Sequence, residues 1–152
     1  MKYIKQDERG FTSFDDYFEY IEAIKGQLDE RLYAFAADSS RYDLTSKGSL
    51  HDAWVQSLQV EVCHGEGATL SNPSNITLTL LGPFHDRVHT LKYFDVKWSS
   101  VNLQLCGNQR QRDLLYHEMR LQDGLLQHEF AFDGDGTLEI HCSHIEHEER
   151  IF

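Results

Sequence analysis

"GSLHDAWVQSLQVEV" (Gly48–Val62) is the stretch at which the hydrophobic period of this chain changes. On its C-terminal side Leu58, Val60 and Val62 alternate with Gln59 and Glu61, the period of two that belongs to a half-buried strand. On its N-terminal side the apolar residues recur every three or four positions. Phe14, Tyr17, Phe18, Ile21, Ile24, Leu28, Leu32 and Phe35 make one helical stripe. The two are separated by "DSSRYDLTSKGS" (38–49), which is loop by composition. The fold therefore reads as α+β, an N-terminal helix packed on an antiparallel sheet.

The helix start has Thr12 or Ser13 as a candidate cap, and Asp15 and Asp16 suit the positive end of the helix dipole. Gly26 interrupts the stripe at a cost of about 1 kcal/mol relative to alanine, so a kink or a break is expected there. Downstream, "HGEGATLSNPSN" (64–75) reads as a long turn, 76–80 as a strand and "GPFHD" (82–86) as another turn. Val88–Trp98 reads as one strand with a bulge, and Ser99–Arg112 as either a short helix or a strand. Leu114–Leu121, Leu125–Phe132 and Leu138–Ile145 read as three strands joined at the hairpin signals "QDG" and "DGDG". About six strands result. No repeat or linker divides the 152 residues, so a single domain is expected, with about two-thirds of its unfolded surface buried.

Register follows from burial. A two-residue Asp123-Gly124 turn sets Met119 opposite His128 and Glu118 opposite Glu129. The like-charge pair costs roughly 0.2–1 kcal/mol. The same register buries Leu115, Met119 and Leu121, worth about 1.5–3 kcal/mol each, so packing should win. In the next hairpin Phe132 is expected opposite Leu138 and His128 opposite Cys142. His117, His128, Cys142 and His144 then become near neighbours on one face. They are zinc-type ligands, but three ordinary polar residues around a buried cysteine is the preferred reading, so no metal and no cofactor is expected.

His51-Asp52 invites comparison with a catalytic pair. No G-x-S-x-G elbow and no H-E-x-x-H motif accompanies it, and a turn whose side chains bond nearby amides needs only these two residues. The structural reading is preferred. "FDGDGTLEI" (132–140) has the acids of a calcium loop but not its twelve-residue spacing, so it reads as a tight acidic hairpin. In "HCSHIEH" (141–147), His141 and His147 share a strand face that His144 does not, and the three converge only if the strand breaks.

The net charge of −11 would repel nucleic-acid phosphates and anionic membranes. It leaves a basic protein as the candidate partner, beside a simple role in solubility. Residues 113–152 carry a net −8 and residues 83–112 a net +3, which concentrates acidity on the last strands. Glu118, Glu129, Glu139, Glu146 and Glu148 are the candidate partner-binding residues. Three cysteines without metal spacing, no apolar run of about 18 residues and a charged N-terminus point to a reduced cytoplasmic protein.

"SLHDAWVQSLQVEV", "NITLTLLGPF" and "YHEMRLQDGLLQHEFAFDGDGTLEIHCSHIE" together resemble small, uncharacterised bacterial proteins in which a Leu-His-Asp turn, here Leu50-His51-Asp52, leads into an antiparallel sheet. Proteins of that general kind occur among polymorphic-toxin immunity proteins. The resemblance spans about residues 48–147 and brings no catalytic residues with it. It implies a non-enzymatic domain that blocks a basic toxin through an acidic sheet. The alternative is a small metal-dependent enzyme or ligand carrier built on the histidine-rich face.

Overall fold

The N-terminal stripe folds as two helices. The computed structural model describes residues 1–63, 74–107 and 113–152. Helix α1 spans Asp15–Ala23 and α2 spans Glu30–Ala36, with a 3-10 turn at Lys25–Gln27 and an extended Leu28 between them. Asp29 starts α2 by accepting the Leu32 N–H at 2.9 Å. All eight stripe residues lie in the core or pack against it. The cap expected from Thr12 or Ser13 does not form. Both lie in β2 (Thr12–Ser13), paired with β1 (Lys5–Gln6), and Phe14 takes the cap position without a side-chain bond.

Ile21 is fully buried. Ile21→Asp places a carboxylate in that apolar site and should cost at least about 3 kcal/mol. The expected result in a circular-dichroism melt is a midpoint lowered by roughly 10 °C or more, or no cooperative transition. A midpoint within a few degrees of wild type would remove the helix from the core.

The remaining strands are β3 (Trp54–Val62), β4 (Ser74–Leu81), β5 (Arg87–Phe94), β6 (Trp98–Asn102), β7 (Leu114–Gln122), β8 (Leu125–Phe132), β9 (Gly136–Cys142) and β10 (His144–Ile151). They form two antiparallel four-stranded sheets, β10-β5-β4-β3 and β6-β9-β8-β7, in place of the single sheet of about six strands. The expected strand Val88–Trp98 ends at Phe94. Asp95 has φ 51°, which breaks the pleat, and Trp98 re-enters in the second sheet. The expected strand Leu138–Ile145 is likewise divided at Ser143. Two backbone bonds hold this double corner, Lys97 N–H to His141 O at 2.8 Å and Ser143 N–H to Phe94 O at 3.1 Å. The expected turn over 64–75 lies outside the described residues up to 73, and Ser74 and Asn75 already belong to β4. Of 99–112, residues 99–102 continue β6 and residues 108–112 lie outside the description.

Inner faces are set by alternation. Ile76, Leu78, Leu80, Leu91 and Tyr93 meet Phe130, Phe132, Leu138 and Ile140, all buried. Asp123 and Gly124 both have positive φ and close a two-residue turn, with Met119 opposite His128 and Glu118 opposite Glu129. A bulge between Leu114 and Tyr116 puts Leu114 in the core and leaves Leu115 half-buried. The next hairpin is shifted by two. Phe132 faces Gly136 and His128 faces Ile140, because the connection is only Asp133–Asp135, with Gly134 and Asp135 at φ 60° and 61°. A shift of two keeps every side chain on its expected face but changes its neighbours.

The free edge of β7 is covered by tyrosines. Tyr17 Oη accepts the Met119 N–H at 3.4 Å. Tyr20 Oη accepts the Leu121 N–H at 2.8 Å, and Tyr42 Oη donates to His117 O at 2.9 Å. Edge groups that would otherwise template another strand are thus occupied, and the N-terminal layer is fixed over the histidines below.

Candidate functional site

His117 on β7 and His128 on β8 meet inside the molecule. Their Nδ1 and Nε2 lie 3.0 Å apart, and His128 Nδ1 is 3.0 Å from Tyr93 Oη. Both rings are buried. Burial first, and then the charge of Arg41, pushes His117 down to about 3. Burial and the neighbouring His117 push His128 well below its ordinary value. The pair is therefore neutral, and one ring donates its N–H to the other. Either direction leaves His117 Nε2 buried without a partner.

Cys142 and His144 do not join them. Cys142 sits opposite Leu126, and burial pushes its thiol up to about 12, so it packs as a small apolar residue. His144 lies beyond the break at Ser143, its side chain 46% exposed, 3.8 Å from Asp29 and 3.6 Å from Glu146. The strand break and the two-residue register shift separate the four.

A second histidine pair completes the cluster. His89 on β5 and His147 on β10 approach at 3.2 Å between Nδ1 and Nε2. Glu149 stands opposite His89 in the ladder, with Oε2 3.8 Å from His89 Nδ1. Burial and the charge of Arg41 lower His89 to about 4 and His147 to about 3. Arg41 Nη1 donates to Glu149 Oε2 at 3.0 Å and to Gly48 O at 2.9 Å, and Arg87 pairs with Glu149 Oε1. Phe35 of α2 lies over both pairs, 4.3 Å from the His147 ring and 5.7 Å from the His117 ring, and Tyr42 stacks on His117 at 4.8 Å. Sequence reasoning passed over His89, although it shares strand parity with Leu91 and Tyr93 and so belongs to the core face.

Between the start of α2 and β10 runs a cleft of about 260 Å³, lined by Asp29, Arg31, Leu32 and residues 144–148. Glu146 and Glu148 are exposed here, and Glu148 meets Lys92 at 3.0 Å. The other three glutamates lie on the outer face of the second sheet. Glu118 is not a surface residue. It is fully buried and accepts the Lys2, Tyr3 and Ile4 N–H groups at 2.7–2.8 Å and Arg120 Nη1 at 2.7 Å. Glu129 pairs with the Met1 amino group and Arg120, each at 2.8 Å. Burial raises its pKa, but these two cations outweigh it and hold the carboxyl below the usual range. Glu139 is 2.7 Å from His141 and 3.7 Å from Arg120.

His51 Nδ1 lies 3.0 Å from Asp52 Oδ1. The His51 N–H bonds Ser49 Oγ, and Asp52, at φ 64°, donates its N–H to Leu114 O. The pair stands at the turn that joins the start of β3 to β7. Asp133–Asp135 forms the acidic hairpin, and among the described residues His89, His147 and Glu149 are the group whose ligand atoms converge as a metal site requires. Comparison of the chain with protein-family models, curated proteins and solved structures gives no match.

Proposed function

We propose that this chain is a non-enzymatic protein-binding domain that receives a basic segment of its partner at the cleft between α2 and β10. A toxin held neutral by an immunity protein is the kind of partner that fits. The carrying observation is the cleft itself, which Asp29, Glu146 and Glu148 line from two elements. Among the described residues that line it, Arg31 is the one permanent cation. A net charge of −11 adds a long-range field that attracts basic proteins and turns away nucleic acid. A nuclease toxin is basic because it must hold phosphates, so an acidic cleft complements it.

Affinity capture from the native cells, or with the product of an adjacent gene, tests this. The wild-type chain should retain a basic protein at roughly 50 mM salt and release it at roughly 500 mM, where charge is screened within a few ångström. The double variant Glu146→Lys/Glu148→Lys should lose most of the on-rate. Capture of no basic protein at low salt, or equal capture by the variant, would overturn the proposal.

A further inference from the structure

We propose that His89, His147 and Glu149 form a binding site for a zinc-type divalent ion. The site shares His147 with the lining of the α2–β10 cleft, and its ligands differ from the four histidine and cysteine candidates in the sequence.

Spacing carries the argument. Two ligand atoms of a tetrahedral zinc ion, each about 2.0–2.1 Å from the metal, lie about 3.3 Å from one another. His89 Nδ1 and His147 Nε2 are 3.2 Å apart, and Glu149 Oε2 is 3.8 Å from His89 Nδ1. All three ligand atoms fall within 4.8 Å of one another. Two imidazole nitrogens with one carboxylate is the donor set of open zinc sites, and it is too nitrogen-rich for calcium or magnesium. Both rings are neutral, as ligation requires. The ring that now donates the N–H between them moves that proton to its other nitrogen, and both lone pairs then face the ion.

Arginine placement decides which oxygen binds. Arg87 holds Oε1 and orients the carboxylate, as outer partners of metal ligands do. Arg41 occupies Oε2 and must yield it to the ion. It keeps Asp38, 3.1 Å away, and Gly48 O as partners. Of the three ligands, His147 also lines the α2–β10 cleft.

The test uses zinc alone in calorimetric titration and cobalt alone in visible absorption. The wild-type chain should saturate at one ion, with the intense visible bands of four-coordinate cobalt. His147→Ala and Glu149→Gln should each weaken binding at least roughly tenfold. His144→Ala should leave it unchanged, since its ring lies outside the triad. Glu149→Gln keeps the side-chain shape, so it still tests the site if His147→Ala misfolds. No stoichiometric binding by the wild type, or equal binding by the Glu149→Gln variant, would overturn the assignment.

Discussion

Acidification from pH 7 to pH 5 should strip this protein of several kcal/mol of stability, and the buried histidines are the reason. Burial holds His117 at about 3 and His128 well below its ordinary value, whereas the unfolded chain titrates each near 6.5. The unfolded state therefore takes up protons first as the pH falls. The stability contributed by the neutral rings is complete above about 6.5 and is lost on the way down toward the folded values. At pH 5 keeping His117 neutral costs up to about 2 kcal/mol, and His128 adds to that cost in the same direction. That is a large part of the roughly 5–15 kcal/mol of an ordinary domain. His89 and His147 are shifted in the same direction. Urea unfolding at a series of pH values should show stability falling steeply below 6.5. His117→Phe, which keeps an aromatic ring between Tyr42 and Phe35, should flatten that slope. Equal stability at pH 5 and pH 7 would show that these rings are not held neutral in the fold.

Glu118→Leu is the second change with a large expected effect. The carboxylate, itself fully buried, closes three backbone N–H groups of the N-terminal segment and the partly buried guanidinium of Arg120. Leucine fills the space but leaves all four donors without it. Breaking one side of a buried pair costs about 3–5 kcal/mol, because the remaining groups stay desolvated. Urea unfolding should show a loss of that size, and amide exchange at Lys2–Ile4 should accelerate. A loss under about 1 kcal/mol would mean that the segment rests on Tyr3 and Ile4 packing alone.

Glu118 also shows where sequence reasoning reaches its limit. Its strand, turn and partner across the ladder were all legible, because Asp123-Gly124 fixes a hairpin and burial of Met119 fixes its register. Alternation then assigns Glu118 to the outer face, which is correct. That this outer face is covered depends on residues 1–4, more than a hundred positions away, and no local pattern encodes that contact. The break between α1 and α2 was legible at Gly26 for the same local reason that the hairpin was.

The two sheets were not. A period of two says which side chains share a face, and it continues across Asp95 or Ser143 without showing that the chain has changed sheets. The expected grouping of His117, His128, Cys142 and His144 comes apart there and at the β8–β9 turn. His144 was carried past the break, and the shortened Asp133–Asp135 connection moved Cys142 by two. His89 and His147 are 58 residues apart and meet only because β10 returns beside β5. The cleft beside them depends on α2, whose position is set by Leu32 and Phe35 in a tertiary contact. Glu146 and Glu148 are exposed on β10, which is an edge strand of its sheet.

The most direct measurement is the footprint of the captured basic partner on this chain, read by amide hydrogen exchange with and without it. Our account predicts slowed exchange at 29–32 and 144–148, the two walls of the cleft, with the rest of the chain unchanged. Protection confined to another surface, such as the exposed β6 edge at Trp98–Asn102, would contradict it.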